Sequence, residues 1–99
     1  MNAEPTNENR RFKRIQTIWR WDGEDRRHIL VGVPKSRSIH LLNPVAAAIF
    51  SLCDGTCTTE QIVNHVSKTF RGAERARVEN DVASFLQYLL DLEVIHAEA

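Results

Sequence analysis

The stretch Leu42-Asn43-Pro44-Val45-Ala46-Ala47-Ala48-Ile49-Phe50-Ser51-Leu52-Cys53-Asp54-Gly55 decides the architecture, because the chain changes its apolar period there. Asn43 suits a helix N-cap, and Pro44 suits the first helical position, where a missing N–H costs nothing. The helix continues from Ala46 to Cys53 with Ile49, Phe50, Leu52 and Cys53 facing inward, and Asp54-Gly55 stops it.

Downstream the period stays helical. Thr58-Thr59-Glu60-Gln61 is a capping box that opens a second helix with the stripe Ile62, Val63, Val66 and Phe70, closed by Gly72. A third helix is predicted from about Glu74 to Leu92, with Val78, Val82, Phe85, Leu86 and Leu89 on one side. Val94-Ile95 either adds a short terminal strand or packs on the core.

Upstream the period is two. Ile15, Thr17, Trp19 and Trp21 alternate with Gln16, Ile18 and Arg20, which reads as a half-buried strand. Asp22-Gly23 signals a hairpin, and Ile29, Val31 and Val33 share one face of a second strand. Pro34-Lys35-Ser36 makes the next turn. A third strand, Arg37 to Leu42, puts Ile39 and Leu41 on one side and His40 and Leu42 on the other. The expected fold is α+β and winged-helix-like, a three-stranded antiparallel sheet followed by three helices. Residues 1–14, polar and without an apolar period, are expected to be a disordered tail, and residues 15–99 the domain.

Composition narrows the function. The chain has 99 residues, 42% of them apolar and 26% charged, with thirteen basic against thirteen acidic side chains. Zero formal charge removes the simplest argument for a nucleic-acid or membrane binder. The basic groups nevertheless concentrate in residues 1–37, a distribution suited to steering a charged partner. No apolar run is long enough to span a bilayer and the N-terminus lacks the apolar segment of a secretory signal, so the expected location is the cytoplasm.

Catalytic constellations are missing. The sequence has no Gly-rich phosphate loop, no His-Glu-x-x-His and no Gly-x-Ser-x-Gly, and His28, His40, His65 and His96 are scattered. Cys53 and Cys57 are two ligands at most, short of a structural zinc site even if His65 joined them. Neither an enzyme nor a cofactor is expected. A winged-helix fold raises the alternative of a DNA-binding regulator, but the third helix mixes Arg75 and Arg77 with Glu79, Asp81 and Asp91 and makes no basic stripe.

A binding module remains. In a three-stranded meander the 37–42 strand is an edge, whose unpaired N–H and C=O groups could take an extended peptide as a further strand. The same edge could instead be covered by a helix or by a second copy of the chain in a homodimer, and periodicity does not separate these.

The run Leu42 to Gly55, followed by Thr58 and Ile62 and then by Asp81-Val82, Phe85-Leu86 and Leu89, resembles the PqqD family. These are small precursor-peptide recognition elements of ribosomally made, modified peptide pathways. The likeness covers about Ile15 to Ile95, with one departure at Glu93, where the family commonly has Gly. It implies a domain without catalysis of its own. Such a domain holds the leader of a precursor peptide and presents it to a modifying enzyme, often a radical S-adenosylmethionine enzyme. It implies further that the leader adds to the third strand and lies against the third helix. On this chain that means Arg37, Ser38, Ile39, His40, Leu41 and Leu42 on the strand, with Asp81, Val82, Phe85, Leu86 and Leu89 on the helix.

Overall fold

The computed structural model describes residues 10–98. Six strands and three helices follow in the order β1 (Arg11–Arg14), β2 (Trp19–Asp22), β3 (His28–Val33), β4 (Ser38–Leu42), α1 (Pro44–Leu52), β5 (Asp54–Thr58), α2 (Thr59–Thr69), α3 (Arg75–Asp91) and β6 (Ile95–Ala97). The expected meander is present as the antiparallel sheet β2-β3-β4. A second antiparallel sheet, β5-β1-β6, lies beyond what the sequence reading anticipated.

Local chemistry sets the helices. The Asn43 side chain accepts from the Ala46 N–H at 2.8 Å, with Pro44 opening α1. The capping box of α2 is complete: the Gln61 N–H donates to Thr58 Oγ1 at 3.2 Å, and Gln61 Oε1 accepts from the Thr58 N–H at 2.8 Å. α3 ends in a Schellman arrangement, in which the Val94 N–H reaches the Leu89 carbonyl and the Glu93 N–H the Leu90 carbonyl. The left-handed residue this motif needs is Glu93, at φ 60°.

One core joins all layers. Ile29, Val31 and Val33 of β3 bury against Ile49 and Phe50 of α1, and Ile62, Val82 and Leu89 close the helical side. Trp19 meets the Phe50 ring edge-on, with centroids 5.5 Å apart.

The domain boundary expected after residue 14 needs correction. Residues 1–9 lie outside the described residues, but Arg11–Arg14 is a strand rather than tail. Phe12 is buried in the core, and β1 pairs with β5 on one side and β6 on the other. Arg14 stitches this strand to α1: its guanidinium donates to the Phe50 and Ser51 carbonyls at 3.0 and 2.9 Å and stacks over the Trp19 ring at 5.2 Å. A cation on the last carbonyls of a helix is favoured by the helix dipole. The strand expected over 15–21 is correspondingly shorter, because residues 15–18 carry the chain from one sheet to the other. The Ile15 N–H still bonds the Val94 carbonyl, whereas the Ile18 carbonyl already accepts from Gly32.

A candidate peptide groove between β4 and α3

Among the described residues β4 is an edge, paired with β3 and with no other strand. Its register follows from one hydrogen bond. The Gly32 N–H donates to the Ile18 carbonyl on the β2 side, so the polar groups of Gly32 point away from β4. Gly32 faces Ile39 across the sheet, which makes Gly32–Ile39 a non-hydrogen-bonded pair, and alternation makes Leu30–Leu41 another. The N–H and C=O groups of Ile39 and Leu41 therefore point outward, along the free edge. Those of Ser38, His40 and Leu42 are turned inward to Val33, Val31 and Ile29.

A groove of about 480 Å³ runs beside this edge. Leu41, Leu42, Asn43 and Ala46 form one side. Asp81, Ser84, Phe85 and Tyr88 form the other, a single stripe along α3 at helical spacing. Advancing along β4, the contacts on α3 run backward. The Lys35 ammonium in the preceding turn donates to the Asp91 carbonyl at 3.5 Å, His40 Nδ1 lies 3.0 Å from the Tyr88 hydroxyl, and Leu42 shares the groove with Asp81. The helix thus lies antiparallel to the strand.

The residues singled out from sequence separate into three groups. Leu41, Leu42, Asp81 and Phe85 line the groove, and His40 closes one end of it through Tyr88 and Ser38. Ile39 is 74% exposed on the outer face of the sheet, and Arg37 stands in the turn before β4 at φ 54°. Val82, Leu86 and Leu89 are a correction: they occupy the adjacent stripe of α3, are buried in the core and do not line this groove. Their places in the groove are taken by Ser84 and Tyr88, with Asn43 and Ala46 opposite. Counting three, four and seven positions on from Asp81 gives Ser84, Phe85 and Tyr88, a spacing signal available in the sequence.

Burial pushes the Cys53 thiol up to about 12, and Cys53 donates to the Ile49 carbonyl at 3.2 Å. Among the described residues no three His, Cys, Asp or Glu side chains gather closely enough to hold a metal ion. No helix among them is long and apolar enough to cross a membrane.

The fold and site define a small winged-helix-like α+β domain with a free sheet edge beside a helix-lined groove. Residues 28–95, about two thirds of the chain, match the family described as coenzyme PQQ synthesis protein D (PqqD), and the chain belongs to that family. Two solved structures share its fold. TbiB1, solved in complex with the TbiA(beta) leader peptide, is 20% identical with a TM-score of 0.72, over 88% of this chain and 98% of that one. The PqqD truncation of Methylobacterium extorquens PqqCD is described as a functional, stand-alone recognition element for ribosomally synthesised and modified peptides. It is 24% identical with a TM-score of 0.67, over 92% of this chain and 93% of that one. No curated protein sequence matches the chain.

Proposed function

We propose that this chain is a non-catalytic peptide-recognition domain that holds the leader of a ribosomally synthesised precursor and presents its core to a modifying enzyme. The observation that carries the reading is the free edge of β4, with the outward peptide groups of Ile39 and Leu41 running alongside a groove walled by Phe85 and Tyr88. Family membership supports it, as does the leader peptide bound in the TbiB1 structure. Peptide bonds to the edge supply sequence-tolerant affinity, and the groove reads alternate side chains.

The energetics are adequate. Ordering a disordered leader costs roughly 2–5 kcal/mol. A short paired strand with two or three apolar anchors leaves a net near −8 kcal/mol, about micromolar. Holding leader and enzyme together then raises the local concentration of the core peptide. The modifying enzyme we propose is a radical S-adenosylmethionine enzyme or another peptide-modifying enzyme. DNA binding is not favoured, since the exposed face of α3 sets Glu79, Asp81 and Asp91 against two arginines, and Arg75 is already engaged by Glu79 at 3.8 Å.

The test is titration of ¹⁵N-labelled protein with the leader segment of a candidate precursor peptide. Saturable amide shifts at Ser38–Leu42 and along Asp81, Ser84, Phe85 and Tyr88 are expected. Ile39→Pro removes an outward N–H while leaving the inward ladder intact, so it should abolish binding in a folded protein. His40→Pro would instead break the bond to Val31 and damage the hairpin. Unchanged binding by folded Ile39→Pro would overturn strand addition, and concentration-dependent self-association through the same amides would assign the edge to a second copy.

A further inference from the structure

Asp81 is the one charged side chain lining the groove, and no ion pair engages it among the described residues. Its companions on the α3 wall, Ser84, Phe85 and Tyr88, are uncharged. The nearby Glu79 is occupied by Arg75 at 3.8 Å. Asp81 is solvent-exposed and has no evident structural task, so its carboxylate is free to meet whatever fills the groove.

Spacing turns this charge into a reading rule. Asp81 and Phe85 are one four-residue step apart on α3, about 6 Å along the helix axis. Two residues of an extended strand cover about 6.6 Å, and residues two apart point the same way. Because α3 lies antiparallel to β4, a strand added to the β4 edge also runs along α3. Two alternate side chains of that strand would then meet Asp81 and Phe85 together.

We infer that the groove selects a peptide segment carrying a basic residue two positions from an apolar one, the basic side chain on Asp81 and the apolar one on Phe85. The inference rests on the strand-addition reading and adds the chemistry of the segment. An acidic residue at the first position would bring two carboxylates together as the peptide displaces water, and like charges across an interface are strongly selected against.

The experiment is selection from a displayed library of random dodecapeptides on the intact chain, on Asp81→Lys and on Glu79→Lys as a control. Asp81 and Glu79 are both exposed on α3, so the variants should keep the helical signal and melting temperature of the parent. The parent and Glu79→Lys should enrich Lys or Arg two positions from an apolar residue, whereas Asp81→Lys should enrich Asp or Glu there. Individual Lys-containing peptides should bind the parent about tenfold more tightly than their Glu counterparts at low salt, a gap that added salt narrows. Enriched peptides whose charge does not change with residue 81 would overturn this inference and leave strand addition standing. A library that enriches nothing would overturn strand addition and this inference together.

Discussion

The His40 imidazole and the Tyr88 hydroxyl share a hydrogen bond of 3.0 Å, which ties edge strand β4 to helix α3 at the end of the groove. The other ring nitrogen of His40 lies 3.1 Å from Ser38 Oγ, so the imidazole is held from both sides. The groove width at this end is therefore set by side chains, since among the described residues backbone ladder bonds join β4 to β3 alone.

Tyr88→Phe keeps the ring and deletes this tie. A partly exposed hydrogen bond contributes about 0.5–1 kcal/mol. The melting temperature should fall by roughly 3–6 °C, as read by circular dichroism. Amide shifts should concentrate in Ser38–Leu42, and a variant with unshifted β4 amides would show that Tyr88 does not position the strand.

The two stripes of α3 should separate under alanine substitution. Leu89 is fully buried, and Leu89→Ala should cost about 2–5 kcal/mol of stability. Phe85 is half-buried on the groove wall, so Phe85→Ala should cost only about 1–2 kcal/mol. Its peptide affinity should nevertheless fall by at least about tenfold. Urea denaturation and a binding titration on both variants check the contrast, and equal effects of the two on affinity per unit of lost stability would contradict it.

Glu93 holds the left-handed position at the end of α3, where Gly carries no steric penalty. Its ion pair with Lys35, at 3.6 Å between exposed groups, contributes little in return. Glu93→Gly should raise stability by about 0.5–1 kcal/mol, measured as a higher urea midpoint at unchanged slope.

Cys53 gives a pH dependence of known sign. Burial raises its thiol from 9.0 to about 12, so the folded chain keeps a proton that the unfolded chain releases. Stability from this group is intact below the unfolded value and declines as the pH rises from there toward 12. The slope reaches at most about 1.4 kcal/mol per pH unit. Cys53→Ala should flatten the alkaline loss relative to the parent in urea melts at about pH 8 and about pH 10.5. Iodoacetamide near neutral pH should modify Cys53 only after unfolding.

Features legible in the sequence are those fixed by neighbours along the chain. Asn43-Pro44 and the Thr58–Gln61 box formed the caps expected of them, because a cap is satisfied within three or four residues. The alternation Ile29, Val31, Val33 likewise marked the buried face of β3, since a two-residue period leaves each side chain one face to occupy. The choice among α3 residues was harder. Val82 and Phe85 are both apolar, and the hydropathy of a residue does not say whether the neighbouring surface is core or groove.

Local signals along the chain account for the three helices, the β2-β3-β4 meander and the position of an edge strand ahead of the first helix. The second sheet is a product of long-range packing. Arg11–Arg14 has a single apolar side chain and Asp54–Thr58 reads as a turn and cap, so neither announces a strand. Each becomes one by pairing across long sequence separation, as Phe12 does with Ala97 and Lys13 with Asp54. Packing also decided which stripe of α3 faces the groove, burying Val82, Leu86 and Leu89 and leaving Asp81, Ser84, Phe85 and Tyr88 beside the edge. Local propensity acts over a few residues, whereas strand pairing and helix rotation are settled when distant apolar surfaces close on one core.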